Sequence, residues 1–185
     1  MSDDLDQLHR DVRYLLDRTA ILDCIANHAR GCDRHDVDLL TSTYHDDGVD
    51  EHGHALTPGP SYAEFMNGVH AATTQNHTHN IATHTCEIDG DEAHAESYVL
   101  VALLGTDGAN AQLMSGRYVD RLERRDGTWR IVERRSTVEW AVTGDARILQ
   151  SSFFKEQGYP KGTRDRRDPS YDRPLSLDTP PPERW

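Results

Sequence analysis

After Gln75 the apolar pattern of this chain changes period, and that change limits the fold more than any other feature. His79, Ile81 and Thr83 alternate into Cys86 and Ile88, the two-residue repeat of a half-buried strand. Asp89-Gly90-Asp91 then signals a turn, and Ala93 to Leu104 resumes as a strand rich in Val, Tyr and Leu. Thr106-Asp107-Gly108 and Arg125-Asp126-Gly127 mark off two more runs, Ala111 to Glu123 and Trp129 to Val142. Sequential strands joined by short turns predict an antiparallel meander.

Before that point the period is helical. Leu5, Leu8, Val12 and Leu15-Leu16 predict a leading amphipathic helix over residues 3 to about 18. A second helix is expected from Ile21 to Asp33, with Leu22, Ala26, Ala29 and Asp33 at helical spacing. Val37 to Tyr44 reads as a short helix, and Val49 to Leu56 as a short strand or loop. Thr57-Pro58-Gly59-Pro60 stops it, and Ser61, with Glu64 in the capping-box position, is expected to start a helix over Tyr62 to Ala72. Helices followed by strands give an α+β fold: a conical barrel of a curled antiparallel sheet closed by about three N-terminal helices, with a cavity between them. Residues 1–150 are expected to form this domain. Residues 151–185, with Arg164 to Pro169 and Pro180-Pro181-Pro182, form an extended tail anchored by Tyr159, Tyr171 and Trp185.

Charge and cysteine usage narrow the function. Twenty Lys and Arg stand against 32 Asp and Glu, a net charge of -12, which repels phosphate backbones and anionic lipid. Neither a nucleic-acid nor a membrane partner is expected, and without a signal-like segment the expected location is cytoplasmic. Cys24, Cys32 and Cys86 have no CxxC spacing and read as small buried thiols.

The chemistry concentrates in Gln75 to His84, where His77, His79 and His84 fall within a few residues at the mouth of a strand. Asp33 lies on or at the end of a helix face that should be buried, where a carboxylate needs a cation, a donor or a wet pocket. Alternatively it faces water or caps the helix near Val37. Free imidazole titrates near pH ~6.5, so a histidine fixed by a carboxylate suits proton abstraction, elimination or double-bond migration. Tyr44, Tyr98 or His28 would protonate a leaving group or bind an enolate oxygen. Period two sends Arg134, Ser136, Val138 and Trp140 to one face and Glu133, Arg135, Thr137 and Glu139 to the other, so these charges form a solvated ladder or place Arg135 on a substrate. His77-Thr78-His79 and His52-Gly53-His54 raise metal binding with Asp33 as a rival, but HxH pairs are weak signals. No metal and no cofactor is expected. His9, His35, His45, His70 and His94 read as ordinary exposed histidines.

Several motifs in order carry a resemblance. They are Ile21 through Asp33, Leu39-Leu40 to Asp50-Glu51-His52-Gly53, Thr78-His79 before Glu87-Ile88-Asp89-Gly90-Asp91, Gly116 to Arg121, and Asp126 to Ile131. Together they resemble the SnoaL-like branch of the nuclear transport factor two superfamily over roughly residues 8 to 142. The resemblance implies a conical α+β barrel in a homodimer or larger homo-oligomer. It also implies an Asp at the end of the second helix paired with a His at the head of the long strand, at Asp33 and His79. Relatives include scytalone dehydratase, bile-acid dehydratase, hexachlorocyclohexane dehydrochlorinase, ketosteroid isomerase and polyketide cyclases. The chain departs from some of them in carrying His28 in place of a Tyr and Thr83, beside His84, in place of an Asn.

The implied function is a cofactor-independent lyase or isomerase, dehydratase-like, acting on a hydrophobic cyclic substrate such as a steroid, terpenoid or polyketide. Alternatives are a polyketide cyclase, and a non-catalytic small-molecule-binding or oxygenase-partner subunit.

Overall fold

No glycine or proline interrupts the chain before Gly31, and the computed structural model, which describes residues 2–185, has one helix where the pattern predicts two. Helix α1 (Ser2–Arg34) passes through Arg18 to Ala20 without a break. Its first half keeps Leu5, Leu8, Val12, Leu15 and Leu16 exposed, whereas Ile21, Ile25 and Cys32 enter the core. The helix closes at His35, whose φ of 50° is left-handed, with the His35 and Asp36 amides donating back to the Cys32 and Gly31 carbonyls. Helix α2 (Val37–Thr41) follows, capped by Asp36, whose carboxylate accepts from the Leu39 amide. Asp36 therefore fills the capping role that sequence left open for Asp33.

Strands β1 (Tyr44–His52) and β2 (Ala55–Pro58) form a hairpin before helix α3 (Gly59–Thr73). That helix starts before Ser61, with Pro60 in its first turn and no side-chain cap, so the predicted Ser61–Glu64 box is not made. Proline needs no amide partner there, which is why it displaces the serine as the start.

The meander is β3 (Thr74–Asp89), β4 (Glu92–Gly105), β5 (Asn110–Arg125) and β6 (Thr128–Asp145). Strands of this length accumulate right-handed twist and curl. The six-stranded sheet has the order β2-β1-β6-β5-β4-β3. All neighbours are antiparallel except β1 and β6, which run parallel; the sheet is thus mixed at one seam and is not closed on itself. The core packs Ile21, Ile25, Leu40, Tyr62, Leu122 and Ile131 between the helices and one face of the sheet. β3 is an outer strand, and α1 lies along it.

The last segment holds a short helix, α4 (Ser152–Gln157), where sequence predicts an extended tail. Phe154 packs against Tyr159 and Trp185, an anchor the pattern did not reveal. Further on, Arg164 donates to the His70 carbonyl and to Thr74, Asp168 pairs with Arg34, and the Tyr171 hydroxyl donates to Asp36 at 2.7 Å. No helix among the described residues is long and apolar enough to cross a membrane.

Candidate active site

An outer strand has amides with no strand partner, and one of these fixes the site. The His79 amide donates to both carboxylate oxygens of Asp33 at 3.0 Å, so the last turn of α1 is tied to the head of β3. The same carboxylate meets the His79 ring, Oδ1 to Nδ1 at 2.7 Å. A carboxylate only accepts, so Nδ1 carries the proton and Nε2 keeps the lone pair. Both side chains are nearly buried, with 8% of His79 and 12% of Asp33 exposed.

His79 lines a cavity of about 400 Å³, within the range of small-molecule sites. Val99, Val101, Leu103, Met114 and Val138 make its walls apolar, and His52, His70, Ser115, Tyr118, Ser136 and Thr137 supply polar groups. A smaller cleft of about 290 Å³ between α1 and β3 also reaches Asp33 and His79. Ser136, Thr137 and Val138 of β6 all border the cavity, and β5 and β6 approach closely beside a register shift: Ser115 pairs with Trp140, but Gly116 pairs with Val138. Gly116 permits this approach, since a Cβ there would lie 1.9 Å from the Thr137 carbonyl oxygen.

Beside the cavity lies a buried polar chain. The Tyr44 hydroxyl donates to Asp50 at 2.6 Å and stands 3.0 Å from His28 Nε2. Burial drives the His28 imidazole well below its usual range and the Tyr44 phenol well above it, and pushes the Asp50 carboxyl up to about 6. His28 and Tyr44 thus meet each other rather than the cavity, and His28 lies behind its wall against the Tyr118 ring, 5.8 Å between centroids. Tyr118 lies beneath the Arg134 guanidinium at 4.1 Å, and burial holds its phenol well above the usual range. Arg134, fully buried, forks onto Asp120 at 2.6 and 2.7 Å.

Two residues singled out as substrate contacts lie elsewhere. Tyr98 is 44% exposed, on the β4 face opposite Val99 and Val101. Arg135 pairs with Glu51 at 2.5 Å and lines a separate groove of about 830 Å³ with Arg121 and Glu133, away from Asp33 and His79. The charge ladder of Arg117 with Glu96 and Glu139, and of Arg121 with Glu133, occupies the strand face as expected. Tyr118 and His70 line the cavity without having been selected from sequence. For Tyr118 the signal was there, since Gly116, Tyr118 and Asp120 share one face by alternation.

The histidines also distribute differently. His54 is exposed, so the two HxH pairs do not converge. His45 is buried, with its ring against the Glu123 carbonyl at 2.9 Å. His70 and His77 are buried with rings 4.0 Å apart, and His35 is half-buried beside them. Among the described residues, two groups have ligating atoms mutually within 4.8 Å: His35, His70 and His77, and Asp33, His77 and His79. All three cysteines are buried and free, and burial raises the Cys24 thiol to about 12.

Known structures share this architecture. A candidate scytalone dehydratase from Novosphingobium aromaticivorans aligns with TM-score 0.64 and 17% identity, covering 70% of this chain and 88% of its own. A type 3 hexachlorocyclohexane dehydrochlorinase from Novosphingobium barchaimii aligns with TM-score 0.67 and 23% identity, covering 72% of this chain and 94% of its own. A protein of unknown function from Mycobacterium tuberculosis aligns with TM-score 0.61 and 26% identity, over 69% of this chain and 74% of its own. No curated protein matches the chain. The profile of the SnoaL-like domain matches residues 13–135, and the chain belongs to that family.

Proposed function

We propose that this protein is a lyase or isomerase that moves a proton on a hydrophobic cyclic substrate, with His79 as the base and Asp33 as the group that orients it. The observation that carries the reading is the 2.7 Å contact between Asp33 Oδ1 and His79 Nδ1 on the wall of an apolar cavity. It leaves Nε2 as the proton acceptor, and the carboxylate stabilises the imidazolium that forms. Apolar walls favour a ring system of the steroid, terpenoid or polyketide kind, and loss of water or halide from the neighbouring carbon completes an elimination. The dehydratase and the dehydrochlorinase among the structural neighbours are named for eliminations, which favours that outcome over cyclisation. Tyr118, on the same wall, is the group best placed to donate a hydrogen bond to a substrate oxygen.

The test is a screen of cyclic alcohols, halides and enones against the wild type, Asp33→Asn and His79→Ala. Turnover of a substrate by the wild type and its loss in both variants, with unchanged circular dichroism, supports the reading. Turnover at wild-type rate in both variants overturns it.

A further inference from the structure

His35, His70 and His77 come from three elements: the turn after α1, the last turn of α3 and the head of β3. One ring nitrogen of each lies within 4.8 Å of the others. His70 and His77 are only 7% and 2% exposed, and proton transfer by the Asp33–His79 pair uses none of the three.

Hydrogen bonding decides which nitrogens are free. His77 Nε2 stands 3.0 Å from the Cys32 carbonyl, which only accepts, so Nε2 carries the proton and Nδ1 keeps the lone pair. The Thr74 hydroxyl near that Nδ1 spends its own proton on the His70 carbonyl at 2.7 Å, leaving Nδ1 without a donor. His70 Nδ1 and His35 Nε2 are buried without any hydrogen-bond partner. Orphaned buried nitrogens are costly, and two of them beside a third that lacks a donor call for a shared occupant. An imidazole that donates its second nitrogen to a backbone carbonyl, as His77 does, is arranged like a metal ligand with its supporting shell in place.

We propose that His35, His70 and His77 bind one divalent transition-metal ion of the zinc class, which clasps the ends of α1 and α3 to the head of β3. Three neutral imidazoles suit such an ion, with a fourth position left for water. Burial holds His70 and His77 in the neutral, ligating form, at about 3 and about 4. The Arg164 guanidinium, bonded to the His70 carbonyl, opposes a cation here, and the Asp33 carboxylate, 3.9 Å from His77 Nε2, offsets it. The alternative group of Asp33, His77 and His79 is less available, because Asp33 and His79 satisfy each other at 2.7 Å. His35 occupies a left-handed position at the end of α1, where glycine would be easier. The clasp is independent of the proposed proton transfer.

The test uses the full chain, stripped with chelator and titrated calorimetrically with Zn²⁺, and with Co²⁺ as an absorbing probe. One ion per chain and ligand-field bands of a low-coordinate site are expected. His35→Gly relieves the backbone and keeps the fold, so its affinity reports the ligand alone; it and His70→Ala should each weaken binding more than about a hundredfold, since loss of even a supporting partner costs 10–100-fold. The exposed pair His9→Ala/His94→Ala should bind as wild type. No stoichiometric uptake by the wild type overturns the site, as does uptake that survives in both His35→Gly and His70→Ala. Uptake abolished by His79→Ala but kept in His35→Gly also overturns it, moving the ion to Asp33.

Discussion

The Asp33 carboxylate holds His79 at two levels, accepting from its backbone amide at 3.0 Å and meeting its ring at 2.7 Å. The two functions separate under mutation. Asparagine retains an oxygen for the amide but cannot stabilise an imidazolium, so Asp33→Asn should change stability by about 1 kcal/mol or less and lower turnover by about 10²–10⁴. Asp33→Ala leaves that amide unpaired and should cost about 1–3 kcal/mol more. Urea unfolding beside steady-state kinetics checks both; equal stability losses would show that the amide contact contributes nothing.

Adjacent arginines of β6 should differ sharply. Arg134→Met strands the buried Asp120 carboxylate and is expected to cost about 3–5 kcal/mol. Arg135→Ala removes an exposed pair with Glu51 and should stay within about 0.5 kcal/mol. Denaturant midpoints of the two variants decide the matter, and a reversed order would contradict the burial.

Acid should destabilise the protein. His70 and His77 are held at about 3 and about 4 against 6.5 for a free imidazole, and His28 is lowered as well. Between those values and 6.5 the unfolded chain binds more protons, so their contribution is complete above pH 6.5 and is lost as pH falls through the folded values. Asp50, raised from 3.8 to about 6, acts in the opposite sense, but it is one group against three. The thermal midpoint of metal-free protein should therefore fall steadily from pH 6.5 towards 4, and a flat profile would refute the account.

Glycine substitutions should read the close approach at the bulge. Gly116→Ala forces a Cβ against the Thr137 carbonyl and is expected to cost about 1–3 kcal/mol and to disturb the cavity wall. Gly68→Ala, within α3 with open space around its Cβ, should stabilise by about 0.5–1 kcal/mol. Both are measured by urea unfolding.

Much of the fold is legible in the local sequence. The change of period after Gln75 and the Asp-Gly turns define the β3–β6 meander, because alternation and turn chemistry are local. The Pro58-Gly59-Pro60 run marks the start of α3 for the same reason, while the absence of any glycine or proline before Gly31 explains why α1 is single. Asp33 and His79 were reached through ordered motifs, and Asp33 also through its place on a buried helix face. Tertiary structure decided what local patterns cannot carry. The parallel β1–β6 seam joins segments far apart in sequence, and a register shift between Val138 and Trp140 interrupts the β5–β6 pairing beside the cavity. His35 and His70 read as surface residues in sequence, because nothing local to either shows what the fold packs against it. Only the meeting of α1, α3 and β3 brings them together with His77 and leaves a buried ring nitrogen of each without a hydrogen-bond partner.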